Sequence, residues 1–224
     1  MHYRAGEAFE IAGGRDQLPT GINIPDLGVF ARSRNRQGFY DAPAQVKMFW
    51  WGKRHQVNPF VFGPSGNEPF AEREAGAGTL AEFDVLGNQK TVVGISLLRG
   101  AAHDGDRRVV GGYARLGFGS WGVLAEHDST ERTRKAPALA AFRQDATYAQ
   151  VFWAMREWLV ASAIGERLRV QSPFEQRLNA GKLEIAARLA SQATLSVGAR
   201  LERDQLTGRV SKSLLLQAAL KTVN

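Results

Sequence analysis

The eleven residues Thr194 to Asp204, TLSVGARLERD, divide by parity into two unlike sets. Leu195, Val197, Ala199 and Leu201 fall on one side, and Thr194, Ser196, Gly198, Arg200, Glu202 and Asp204 on the other. Successive strand residues point to opposite faces, so this split requires an extended strand with one apolar and one charged face, and no helix produces it. About ten residues of tilted strand cross the hydrocarbon of a bilayer, and transmembrane barrels are built from such segments, apolar outward and polar inward. The pattern constrains the fold because most of the chain repeats it.

In order along the chain, Tyr3 to Gly14 reads as a first strand, with Phe9 and Ile11 opposite Glu10. Residues 15–43, RDQLPTGINIPDLGVFARSRNRQGFYDAP, carry Pro, Gly and Asp punctuation without a sustained period, which predicts a long extracellular loop. Ala44 to Trp51 alternates again, Gly52-Lys53-Arg54 turns, and Gln56 to Phe62 is a weaker strand interrupted by Pro59. After a loop from Gly63 to Pro69, Arg73 to Leu86 sets Ala75, Ala77, Ala81, Phe83 and Val85 against Glu82 and Asp84. A tight hairpin at Gly87-Asn88-Gln89 leads to Thr91, Val93, Ile95 and Leu97, and then to a longer polar loop over Gly100 to Asp106. Arg107 to Gly117, the strand opening at Trp121, and the pair Asp145 to Arg156 and Trp158 to Val170 follow. Leu159, Ala161 and Ala163 compete with Val160 and Ile164 for the apolar face of the last of these. Gln176 to Ala190 contains good helix formers but leads through Ser191-Gln192 directly into the Thr194 strand, so a strand is expected. Val210, Leu214, Leu216, Ala218 and Leu220 line the last face. The sum is about twelve strands in one domain spanning 1–224, an all-β, antiparallel, up-and-down transmembrane β-barrel, complete or part of a larger one.

Two further regularities support a membrane barrel. Short connections (52–54, 87–89, 118–120, 156–157, 191–193) alternate with longer or more polar ones, as periplasmic turns alternate with outward loops. All five tryptophans, Trp50, Trp51, Trp121, Trp153 and Trp158, lie beside short connections, which predicts an aromatic girdle at one rim. Composition removes rivals. No run of about 18 apolar residues exists and mean hydropathy is -0.27, so a helical span is excluded. Zero cysteine removes disulfides and thiolate sites. The net charge is +7, but the basic residues are spread among acids, so no nucleic-acid partner is expected. No basic and apolar leader opens the chain at Met1, and truncation of the start, with loss of a signal peptide and N-terminal strands, is the expectation.

Three stretches carry a resemblance. GGRDQLPTGINIPDLGVFARSR, a Gly-Arg strand end followed by a Pro/Gly loop with Asp26, Phe30 and Arg32, resembles the first long loop of bacterial outer-membrane porin-like β-barrels. EREAGAG (Glu72 to Gly78) and FGSWGVLAEHD (Phe118 to Asp128) resemble the same group, many of whose members are uncharacterised and some of which are encoded near multihaem cytochromes. The family implies an outer-membrane location in a Gram-negative envelope. Against the family pattern the sequence closes on LKTVN and not on an aromatic residue, which fits the expectation that part of the protein lies outside it.

Signatures of chemistry are weak. GFGSWG at Gly117 to Gly122 matches a dinucleotide fingerprint only in letters, because no helix is expected after it. His127 and Asp128 are neighbours on a strand and point to opposite faces, so they cannot share one catalytic triad. His2, His55, His103 and His127 show no ligand spacing, and neither metal nor cofactor is expected. The expectation is therefore a non-enzymatic, porin-like passive channel for small polar or anionic solutes. Its lumen would be lined by Lys47, Glu82, Asp84, Arg115, Lys182, Glu184, Arg188, Arg200 and Glu202, with Arg32, Arg34 and Arg36 as a constriction if the long loop folds inward. The alternatives are a barrel that anchors an outer-membrane or periplasmic partner protein, electron-transfer cytochromes included, and a soluble all-β binding protein.

Overall fold

In the computed structural model the described residues are 1–22, 30, 42–64, 66, 72–135, 141–171, 175–191 and 193–220. They form one thirteen-stranded antiparallel sheet in which every strand pairs with its sequence neighbours. The strands are β1 (His2–Ala5), β2 (Phe9–Arg15), β3 (Ala44–Trp51), β4 (His55–Phe62), β5 (Ala75–Asp84), β6 (Thr91–Ala101) and β7 (Gly105–Phe118). They continue with β8 (Trp121–Arg134), β9 (Phe142–Arg156), β10 (Leu159–Gln171), β11 (Gln176–Ala190), β12 (Ala193–Asp204) and β13 (Val210–Leu220). The architecture is the expected up-and-down order, but β1 and β13 do not pair, so the sheet is not closed.

The thirteenth strand comes from dividing Tyr3 to Gly14. Gly6, at φ +72°, turns the chain after Ala5, and β1 folds back on β2 with His2 opposite Ala12. A residue without Cβ adopts that conformation at no steric cost, which parity counting does not register. Connections 6–8, 52–54, 85–90, 119–120, 157–158 and 191–192 lie at one end of the sheet. At the other end are 16–43, 63–74, 102–104, 135–141, 172–175 and 205–209. The polar loop expected over Gly100 to Asp106 is the exception to the asymmetry: β6 and β7 run through it in register, Gly100 opposite Arg107, and only 102–104 turn.

The two faces differ as the alternation requires. On β11 the outward row is Leu183 (66% exposed), Ile185 and Leu189 (67% exposed), while Leu178, Ala180 and Lys182 are buried on the other side. Leu214 and Leu216 of β13 continue the outward row beside Ala199 and Val197 of β12. Large side chains left open over so many adjacent strands are stable only against lipid. The rejected alternative, a soluble sheet, would have packed them against each other. Of the tryptophans, Trp50, Trp121 and Trp153 are exposed on the outer face at the short-connection end, with Trp121 and Trp153 paired in register and stacked at 5.3 Å. Trp158 is exposed in the 157–158 turn. Trp51 shares the face of Lys47 and stacks on Phe49 at 5.6 Å, so it is turned inward.

Candidate functional site in the lumen

The inner wall is organised on one cross-strand row. Register places Glu82 beside Gly94, then Tyr113, Glu126, Tyr148, Glu166, Ala180 and Glu202 in succession from β5 to β12. The next row toward the short connections holds Asp84, Arg115, Gln150, Lys182 and Arg200. Opposite charges in adjacent rows pair. Arg115 meets Glu82 at 2.8 Å, and the same carboxylate accepts the Tyr113 hydroxyl at 2.6 Å. Lys182 pairs with Glu184, and Arg200 with Glu166 and, at 3.7 Å, with Glu202. Further toward the long connections Arg107 meets Glu74 at 2.8 Å.

Across these rows lies the described part of the β2–β3 segment. Its start is tied to β3, where the Gln45 amide donates to the backbone oxygens of Asp16 (2.5 Å) and Gln17 (3.0 Å) and Lys47 pairs with Asp16. Leu18 then fills an apolar cluster with Phe60, Phe62, Leu98 and Val109. Ile22 packs on Leu80 and Tyr113, and its backbone N–H donates to Glu126 at 2.9 Å. Phe30 packs on Ala146, Tyr148, Ile164, Leu168, Leu178 and Ala180, and its N–H donates to Glu166 at 2.6 Å. The Arg200 guanidinium lies 5.0 Å from the Phe30 ring centre, a cation–π distance. One segment thus reaches inner-face residues from β3 to β12, which the sheet permits only by curving around it. Buried carboxylates hold the backbone N–H groups of Ile22 and Phe30, so these two donors lose water without losing a partner.

The anticipated lining is placed as follows. Glu82, Arg115, Lys182, Arg200 and Glu202 come together in the two rows, and Glu184 joins them through Lys182. Lys47 holds the start of the inserted segment. Asp84 is on the inner face, but its carboxylate accepts the Gly87 and Gln89 N–H groups at 2.9 and 2.6 Å and caps the 85–90 turn. Arg188 is exposed near the 191–192 turn, away from the rows. Arg32, Arg34 and Arg36 lie outside the described residues. Sequence reasoning omitted Glu126, Glu166, Tyr113 and Tyr148 from the lining, although parity alone places Glu126 opposite the outward Trp121.

No family model matches the chain, and no curated protein matches it. Among solved structures it is similar to outer-membrane expressed OmpT of Vibrio cholerae, at a TM-score of 0.72 and 9% identity over 98% of this chain and 78% of that one. A loop L8 deletion mutant of the same protein superposes at 0.70 with 12% identity (95% and 76% covered). Its in-vitro folded trimer form superposes at 0.68 with 10% identity (94% and 74% covered). The fold is that of a bacterial outer-membrane β-barrel. With the outward apolar rows, that fold puts the chain in the outer membrane. One expectation is withdrawn, namely that the protein is not an enzyme. The outer-membrane proteins it matches share a fold with it at 9–12% identity, and a shared fold excludes neither catalysis nor passage.

Proposed function

We propose that the protein is a passive channel for small polar solutes, its aperture set by the β2–β3 segment laid across the lumen. The observation that carries this reading is the double docking of that segment, Ile22 on Glu126 and Phe30 on Glu166, in front of a wall of paired charges. A wall needed only to close a structural barrel could be filled by side chains from the strands themselves. Here a separate piece of chain is fixed at defined points on the inner wall, Ile22 on Glu126 and Phe30 on Glu166. Arg115, Lys182 and Arg200 each face a carboxylate, so none of the three meets a solute as an unpaired charge, and discrimination falls to size and polarity. The bias toward anions is assigned to the overall +7 charge and to Arg32, Arg34 and Arg36 in the same segment.

Reconstitution of the full chain in planar bilayers tests this. Stepwise, ohmic conductance is expected, larger in the Phe30→Ala variant, and the triple change of Arg32, Arg34 and Arg36 to Gln is expected to move the reversal potential toward cations. Protein that inserts in folded form and never steps the current overturns the channel reading and favours a barrel that anchors a partner protein.

A further inference from the structure

On the outer face, β9 to β12 change character abruptly along their length. Toward the short connections the outward rows are apolar, ending in Ala149, Gly165, Gly181 and Leu201, which register aligns across the four strands. The next row is Thr147, Arg167, Asn179 and Arg203, and the one beyond it Asp145, Arg169 and Arg177. Four or five outward residues per strand lie between this boundary and the short connections, roughly the height of the apolar band of an outer-membrane barrel. The arginines therefore stand at the headgroup level of the leaflet on the side of the long connections. Arg169 and Arg177 share Glu175, at 3.8 and 2.6 Å. Among the described residues Arg167 and Arg203 have no ion-pair partner. They lie two strands apart, about 10 Å, close enough for one headgroup to reach both.

Directly beneath them the surface is hollow. Gly165 and Gly181 are paired, and a Cβ built on either meets nothing within 4 Å, so packing does not demand glycine there. Glycine weakens a strand interior, and at these positions its effect is to leave space. With Ala149 the two glycines floor a groove of about 940 Å³ walled by Leu183, Leu201 and Leu214, with Lys212 on its β13 side opposite Leu201. A neutral lipid would fill the groove and leave the arginines unmatched. A free anion would meet the arginines and leave the groove empty. Guanidinium groups bind phosphate through parallel charge-assisted hydrogen bonds, most strongly where water is scarce.

We propose that this face holds a phosphate-bearing lipid of the outer leaflet, its headgroup on Arg167 and Arg203 and one acyl chain in the groove over Gly165 and Gly181. The site faces away from the lumen, so it stands or falls separately from the channel reading.

The test uses full-length protein purified in a non-ionic detergent, offered phosphatidic acid and phosphatidylcholine of identical acyl chains, with bound lipid counted by native mass spectrometry. Phosphatidic acid is expected to be retained about tenfold over phosphatidylcholine, the scale of one strong charged contact. The double variant Arg167→Gln/Arg203→Gln is expected to lose the preference, and Gly165→Leu to retain less of both lipids. Arg156→Gln, at the far end of β9, is expected to change nothing. Each variant is first shown to keep the heat-modifiable gel mobility of a folded barrel. Excess inorganic phosphate is expected to leave the bound phosphatidic acid in place. Equal retention of the two lipids, a preference that survives in the double variant, or displacement by inorganic phosphate would each overturn the proposal.

Discussion

Glu166 holds two groups at once. One oxygen accepts the Phe30 N–H at 2.6 Å and the other pairs with Arg200, while the carboxylate side chain is 1% exposed and the guanidinium 10%. A carboxylate so placed is stable only because both oxygens are used, and Arg200 in turn depends on it. Glu166→Ala removes the acceptor of the Phe30 N–H and, among the described residues, leaves the guanidinium only Glu202, at 3.7 Å, as an ion-pair partner. The expected cost is about 3 kcal/mol, the scale for breaking a buried ion pair, measured by urea titration of folding into lipid vesicles. Phe30→Ala leaves the ion pair intact and removes a ring that touches β9, β10 and β11. Its cost is expected to be about 3 kcal/mol, together with noisier conductance from a loosened segment. A Glu166→Ala variant as stable as the parent would show that the carboxylate does not anchor the segment.

At the scale of the strand, glycines on the two faces have different causes, and the difference is measurable. On the inner face of β6, a Cβ added to Gly94 would come within 2.2 Å of the Tyr113 ring, which crosses the glycine to reach Glu82. Gly94→Val is therefore expected to displace that ring and cost about 1–3 kcal/mol. Gly165→Val, on the outer face of β10 where a Cβ meets nothing, is expected to be neutral or slightly stabilising in the same urea titration, because valine suits a strand. Equal costs for the two would mean that the aromatic contact contributes nothing. The same contrast of faces explains what was legible in the sequence. β12 and β11 were readable because one face meets lipid and the other meets charged partners, so parity separates them cleanly. β10 was not, since Ile164 and Leu168 point inward to receive Phe30 and make both faces apolar. Glu166 sits between them and was lost with the face. Phe60 and Phe62 blur β4 in the same way, because Leu18 packs on them. Inward apolar residues answer to a segment remote in sequence, and no local period encodes that. The β1–β2 turn escaped for a different reason, a single left-handed glycine inside an otherwise alternating run.

For the molecule as a whole, the decisive quantity is how the cost of an outward charge varies with depth. Lysine or arginine on the lipid face of a barrel costs about 2–4 kcal/mol at the midplane and about 0–1 near the interfaces, whereas in water an exposed charge costs almost nothing at any height. Ile185 is the middle of the outward row Leu189, Ala187, Ile185, Leu183 and Gly181, and it is 55% exposed. Leu201 is the last apolar residue before Arg203 on the neighbouring strand. Ile185→Arg should therefore destabilise the protein by about 2–4 kcal/mol in vesicles and Leu201→Arg by about 0–1, both read from reversible urea titrations. On the inner face the same strand already carries a buried lysine, Lys182, with Glu184 beside it, so the penalty belongs to the side that meets lipid and not to β11 itself. Equal costs at Ile185 and Leu201 would mean that no apolar slab surrounds the sheet. A gradient falling from Ile185 to Leu201 would place the membrane boundary at the arginine row, where the lipid headgroup is proposed to bind.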